Sequence, residues 1–342
     1  MSGPILRLFG LIVLLFALLI VWTSRWTVFE ATALDDNRLN KLNLAHQLLV
    51  KRGRILAADG TVLARSVLAK GGTWTRFYPT RSEFSQAVGY GILLTNRYAG
   101  LESHYRHPLG GTPTGLASVF GPLSGNQFLG NDVFTSLDLR AQQVAVQQLA
   151  GQAGSVVALD PRTGAVLAMY ANPAYDDNTP NAPCNLPTCS QFNNSTQAAW
   201  PPGSTFKVVT AAAAIDSGAY TPRSVVNGDS PKVISGVPLQ NDGNQSWGSI
   251  DLTTALTNSV NTVWAQVAEK LGRATMARYM ERFGFYSKPP LDYPAGEINV
   301  SQPHSTMTGR ALPPASPDED IGRIGIGQGG LQVTPLQMAM VA

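Results

Sequence analysis

Two short stretches hold residue types that can do chemistry together. In Pro201-Pro202-Gly203-Ser204-Thr205-Phe206-Lys207 a serine precedes a lysine by three positions. About fifty residues further on, Ser259-Val260-Asn261 sets a hydroxyl and a carboxamide one residue apart. A serine hydroxyl is a weak nucleophile until a neighbouring base takes its proton. A lysine can be that base if burial and nearby positive charge lower its pKa. No other lysine in the chain has a serine three residues before it.

The elements around these residues decide whether they can meet. From Ser204 the run Val208, Val209, Ala211 to Ala214 and Ile215 predicts an apolar helix, closed at Gly218. Residues three apart on a helix share a face, so Ser204 and Lys207 are expected side by side on its first turn. The helix N-terminus adds free amide donors and positive potential, suited to an oxyanion. The competing reading is a serine cap with a lysine snorkelling out of a buried helix. Ser259-Val260-Asn261 lies at a predicted break between two helices, where it either aims two polar groups into a cleft or serves as an ordinary capping turn.

The chain has 342 residues, a formal net charge of +3 and 14% charged residues, which points to no nucleic-acid partner. Leu8 to Ser24 carries no charge, and its core from Leu11 to Val21 is wholly apolar. With Ile5 and Leu6 this is about long enough to cross a bilayer, with Trp22 and Trp26 at the interface. An uncleaved anchor over residues 1–24 is favoured over a cleaved signal peptide, because the small-residue pattern Ala31-Thr32-Ala33 lies far from the apolar run. Charge flanking puts the N-terminus in the cytoplasm and the rest outside the cell membrane. There Cys184 and Cys189 are permitted to form a disulfide, or remain two free thiols. No cofactor is implied, and the two cysteines without nearby histidines make a poor metal site.

Along the chain, a helix is expected over about residues 35–50. A hairpin turning at Asp59-Gly60 follows, and then short strands and turns to about residue 132. Val133-Phe134-Thr135 reads as a strand and Ser136 or Asp138 as the start of a helix closed by Gly151. Two strands follow, Ser155 to Leu159 and Ala165 to Tyr170, across the turn Asp160-Pro161-Arg162-Thr163-Gly164. Residues 225–240 read as loop and short strands. Asp251 caps a helix, and two more run from about Thr262 to Leu271 and Thr275 to Arg282. The fold class is α+β: an extended non-catalytic module over 25–132, then a strand pair and a run of helices over 133–342.

Taken together, S-x-x-K followed by S-x-N resembles the serine-type penicillin-binding proteins and their β-lactamase relatives. Further segments agree with the class B, monofunctional members. Arg52-Gly53-Arg54-Ile55, Asp59-Gly60, Gln86-Ala87-Val88-Gly89-Tyr90 and Gly100-Leu101-Glu102 resemble their pedestal. Thr135-Ser136-Leu137-Asp138, Gly327-Gln328-Gly329 and Thr334-Pro335-Leu336-Gln337 resemble their transpeptidase domain. The likeness is greatest to the short actinobacterial type and covers nearly the whole chain. It implies a peptidoglycan D,D-transpeptidase: Ser204 attacks the penultimate D-alanine of a stem peptide, Lys207 takes its proton, Ser259 relays a proton to the leaving D-alanine, and Asn261 holds the substrate amide. β-Lactams would acylate the same serine, and a wall-synthesis glycosyltransferase is an expected partner. The other readings are a penicillin-recognising sensor and a non-catalytic scaffold.

The family's third motif, K-T-G or K-S-G, does not occur; Arg162-Thr163-Gly164 precedes the serine and sits in a turn. The run Thr334-Pro335-Leu336-Gln337 starts a helix with a cap, a first-turn proline and a capping-box glutamine. That helix is still apolar at Ala342, so strands bearing the third motif are expected beyond it. The sheet is then incomplete here, and the chain on its own inactive or crippled. Gly325-Ile326-Gly327-Gln328-Gly329-Gly330 matches a dinucleotide fingerprint but lacks the preceding strand. Pro317-Asp318-Glu319-Asp320 is expected as an exposed loop near the cleft mouth, and His104 and His107 on a solvated loop.

Overall fold

The computed structural model describes residues 2–30, 48–111 and 129–342. The expected helix over about residues 35–50 lies almost wholly outside them. Helix α1, Ser2–Ser24, contains the apolar span Gly3–Ser24, with a mean hydropathy of 2.8 and none of it buried. Its 22 residues rise about 33 Å, enough for one bilayer crossing.

The chain divides into two compact units. The first comprises residues 1–81, 88–135 and 177–180. Its sheet joins β1 (Ile55–Leu56), β2 (Val62–Leu68) and β3 (Trp74–Phe77), with a small pair, β4 (Gly91–Ile92) and β5 (Arg97–Tyr98), beside it. Gly60, at φ +85°, makes the β1–β2 turn at the Asp59-Gly60 signal. Strand β6, Val133–Phe134, pairs in parallel with β1, so these residues close the first unit. Helix α2, Gly100–His104, delivers Glu102 into the interior between Arg52 at 3.0 Å and Arg76 at 2.6 Å. Burial alone would raise this carboxyl; Arg76 and Arg52 outweigh it and hold the pKa below the usual value. His104 and His107 stand on two short helices rather than a loop.

The second unit comprises residues 82–87, 136–176 and 181–342. Asp138 caps α3, Leu139–Gln148, accepting from Ala141 N at 2.8 Å. Strands β7 (Gly154–Leu159) and β8 (Val166–Asn172) form the antiparallel pair across the expected turn, and pair with no third strand among the described residues. Cys184 and Cys189 are joined in a disulfide.

Helix α4, Lys207–Asp216, packs against the long helical element Asn261–Arg282, with small sheets β9 (Val225–Asn227), β10 (Lys232–Ile234), β11 (Val237–Leu239) and β12 (Ser249–Asp251) alongside. Asp251 caps α5, Leu252–Thr257, as expected. Gly272, at φ +77° and ψ 164°, breaks the long element into α6 and α7, as the sequence implied. Two apolar clusters lock this arrangement. Phe206, Val209 and Ala213 meet Met276, Met280 and Phe285, while Ala214 meets Val263, Trp264 and Val267.

Three local expectations are corrected. The turn carrying Ser204 is 3₁₀, Gly203–Phe206, and the α-helix begins at Lys207. Glu319 is buried, 4% exposed, because Arg273 donates twice to its carbonyl and draws the loop inward. Thr334 caps the final helix, α8 (Pro335–Val341), through Gln337 N. The return half of the capping box is absent: the Gln337 amide donates to Phe283 O instead, and Thr334 N donates to Ser301 Oγ.

Candidate active site

Tight turn geometry places the serine. Gly203 adopts φ +61° and donates its N–H to Gly327 O at 3.0 Å. Gly327 is itself at φ +76°, and a Cβ there would lie 2.0 Å from the Gly203 carbonyl oxygen. The glycine run that imitates a dinucleotide fingerprint therefore serves close backbone packing behind the serine turn. Phe206 pins the other side, fully buried and edge-to-face with Phe285 at 5.5 Å. In a 3₁₀ turn residues three apart eclipse, so the tighter winding aligns Ser204 with Lys207 more directly than an α-helix would.

Ser204 is exposed at the cleft, whereas Lys207 is only 1% exposed. Four oxygens surround Lys207 Nζ: Ser204 Oγ at 3.1 Å, Ser259 O at 2.6 Å, Ser259 Oγ at 2.9 Å and Asn261 Oδ1 at 2.7 Å. Burial lowers its pKa from 10.5 to about 8. The nearby positive charge allowed for in the sequence reading is not among the causes. The two carbonyl oxygens can only accept, so they take the two N–H groups of a neutral amine. Its lone pair is left for a hydroxyl, and Ser204 and Ser259 are the two within reach.

The second stretch is held by the ends of two helices. Asn258 ends α5, and Ser259 takes φ +53°, a left-handed conformation costly for a residue with a Cβ. Val260 is buried and donates to Ala255 O at 2.9 Å, which closes the corner before α6 starts at Asn261. Asn261 Nδ2 donates to Gln240 O at 3.1 Å. All four residues singled out in the sequence thus meet at one amine.

A cleft of about 700 Å³ opens on Ser204, Ser259 and Asn261. Its other walls are Gln240 to Asn244, Asn258 and Gln328. The sequence reading of loop and short strands stops at Gln240, and residues 241–244 are not singled out. The approach of this wall to the Ser-x-Asn corner is a tertiary contact that spacing does not reveal. Among the described residues no three His, Cys, Asp or Glu side chains gather as a metal site.

A serine and a buried lysine on one turn face a serine and an asparagine from a helix junction, a set of groups suited to acyl transfer. Residues 154–342, more than half of the chain, match the penicillin-binding protein transpeptidase domain, and residues 52–133 match the penicillin-binding protein A dimerisation domain. The chain belongs to the class B penicillin-binding proteins. It is 30% identical to the peptidoglycan D,D-transpeptidase PbpA of Mycolicibacterium smegmatis, a match covering all of this chain and 72% of that protein. The peptidoglycan D,D-transpeptidase MrdA of Acinetobacter baumannii is 29% identical, over 78% of this chain and 45% of its own length, so the chain spans less than half of that relative. The imipenem acyl-enzyme complex of penicillin-binding protein A from M. tuberculosis superposes with a TM-score of 0.71 at 26% identity, covering 85% of this chain and 70% of that one.

Proposed function

We propose that this chain supplies the nucleophile, base and first substrate contacts of a membrane-anchored peptidoglycan D,D-transpeptidase. The observation that carries the proposal is the convergence of Ser204, Ser259 and Asn261 on the single buried amine of Lys207. Relatives named as D,D-transpeptidases, and a related structure captured as a β-lactam acyl-enzyme, support the same reading.

In this reading Ser204 Oγ attacks the carbonyl carbon of the penultimate D-alanine while Lys207 takes the hydroxyl proton. The tetrahedral intermediate collapses by breaking the bond to the terminal D-alanine. Its nitrogen leaves as an amine, protonated from Lys207 through the Ser259 hydroxyl. Ser204 now carries an acyl ester. The amine of a neighbouring stem peptide attacks that ester, forms the new amide and returns the oxygen and a proton to Ser204. Asn261 holds the donor peptide's amide. A β-lactam enters the same first step, its ring amide breaking in place of the peptide.

Residues 1–24 act as the anchor, 25–132 as the pedestal, with the strand Val133–Phe134 that completes its sheet, and the rest to residue 342 as catalytic. The catalytic part lies outside the cytoplasm, a location in keeping with the Cys184–Cys189 disulfide. A wall-synthesis glycosyltransferase is the proposed partner. The test is labelling with a fluorescent penicillin of the full-length parent, in which the chain is joined to strands bearing the third motif. Covalent label on Ser204, abolished by Ser204→Ala, is the expected result; label that survives Ser204→Ala overturns the assignment.

A further inference from the structure

Asn261 matters to this site only in one orientation. Its carboxamide must turn Oδ1 towards Lys207 Nζ, because the opposite rotamer points an N–H at an amine that has to stay free to receive a proton. The carbonyl of Gln240 selects that orientation, by accepting from Asn261 Nδ2 at 3.1 Å. Flipping the amide would set two oxygens against each other there and two nitrogens against each other at Lys207.

What holds the Gln240 carbonyl is the next residue. Asn241 is buried, 5% exposed, in a wall otherwise open to solvent. Its Oδ1 accepts from Thr262 N at 2.9 Å, at the first turn of the helix that begins with Asn261. Its Nδ2 donates to Gly228 O at 3.0 Å and to Gln245 O at 2.9 Å. Its backbone N–H donates to Ser230 Oγ and its carbonyl accepts from Asn244 N, both at 3.0 Å. One side chain therefore ties two other segments, at Gly228 and at Gln245, to the helix start. We infer that Asn241 is a positioning residue of this site: it locks the 240–245 wall to the α6 N-terminus, so that the Gln240 carbonyl fixes the orientation of the Asn261 carboxamide against Lys207. The inference deepens the proposed acyl-transfer function and rests on it for its consequence in rate.

An asparagine is the side chain this place asks for. Aspartate would keep the Thr262 N bond but lose both donors and set a carboxylate against two carbonyl oxygens. Glutamine is too long for the same three partners. The far end of the wall has its own anchor, since Arg323 donates to Ile234 O, Val237 O and Pro238 O on the β10–β11 hairpin. Loss of Asn241 should therefore loosen the wall locally and leave the unit folded.

The experiment compares wild type, Asn241→Ala, Asn241→Asp, Asn261→Ala and the Asn241→Ala/Asn261→Ala double variant, each in the full-length parent that bears the third motif. The acylation rate with a fluorescent penicillin, counted per labelled serine, should fall about ten- to a hundredfold in both Asn241 variants. The drop should vanish when Asn241→Ala is added to Asn261→Ala. The second readout needs no reaction: NMR titration of the Lys207 side chain. The midpoint should move down in Asn241→Ala, because the ammonium loses an accepting oxygen, and should not move when the same change is made in the Asn261→Ala background. A folded Asn241→Ala protein with an unchanged lysine midpoint overturns the inference, as does a full additional loss in the double variant. Absence of any Ser204 label in wild type would sink the proposed function instead, while the lysine titration would still decide the role of Asn241.

Discussion

Lys207 Nζ lies 2.6 Å from the carbonyl oxygen of Ser259, a residue held in the left-handed region at φ +53°. That oxygen cannot donate, so it always occupies one N–H of the amine. With Asn261 Oδ1 occupying a second, the protonation state of Lys207 alone decides whether a lone pair remains for Ser204.

The first prediction is a pH profile. Acylation by a penicillin should rise with pH through a midpoint near 8, the lowered value that burial gives Lys207, and level off above it. The same shift has a stability consequence. Between about 8 and 10.5 the unfolded chain holds the lysine proton and the folded one does not, so stability rises with pH across that window. Lys207→Met should remove that rise and lower acylation by a factor on the order of 10²–10⁴. Stopped-flow labelling and urea melts at a series of pH values check both halves.

The second concerns Ser259. Ser259→Gly and Ser259→Ala both lose the hydroxyl that faces Lys207 Nζ at 2.9 Å, so both should slow acylation alike. They should differ in stability. Glycine takes φ +53° without strain, while alanine does not, and the glycine variant should be more stable by about 1 kcal/mol. Equal melting temperatures with unequal rates would contradict the assignment of backbone strain to this corner.

Much of the site was legible because its four side chains sit on local signals. The Ser204-to-Lys207 spacing needs only one helical turn, and the Ser259-to-Asn261 spacing needs only a break between helices. Caps and stops were legible for the same reason: Asp138, Asp251, Gly218 and Gly272 act within their own turn. What was not legible depends on partners far along the chain. Asn241 carries no local signal that singles it out; its role rests on Thr262 N, 21 positions on. Glu319 reads as solvated until Arg273 binds its carbonyl, 46 positions away. Gln337 reads as half of a capping box until Phe283 O offers its amide a better partner.

The buried Glu319 gives the third prediction. Burial pushes its carboxyl up to about 7 against the opposing pull of Arg273, and Oε1 has no hydrogen-bond partner. Between 4.5 and about 7 the folded state holds the proton more tightly than the unfolded one, so stability falls as pH rises through that window. Glu319→Gln should flatten this dependence and be more stable than wild type at pH 8 by roughly 1–3 kcal/mol. Thermal melts from pH 4 to 8 measure it; a variant that is less stable than wild type at pH 8 would show that the carboxylate is held by a contact stronger than its burial cost.

The last prediction tests the backbone behind the serine. Gly327 and Gly203 are in contact through the Gly203 N–H to Gly327 O bond, and no Cβ fits between them. Gly327→Ala must either strain its own φ of +76° and collide with the Gly203 carbonyl, or push the Gly203–Phe206 turn away. The second route is the cheaper one, because the turn faces the open cleft. Ser204 should then shift relative to Lys207, and a displacement of about 1 Å is enough to cost roughly a hundredfold in acylation. Gly309→Ala is the control: Gly309 also has a positive φ, of +69°, but a Cβ there meets nothing within 4 Å. It should lose about 1 kcal/mol of stability with no change in labelling rate. If Gly327→Ala behaved like Gly309→Ala, losing stability alone, the Ser204 turn would be held by Phe206 and α4, and the glycine contact would have no part in aligning the nucleophile.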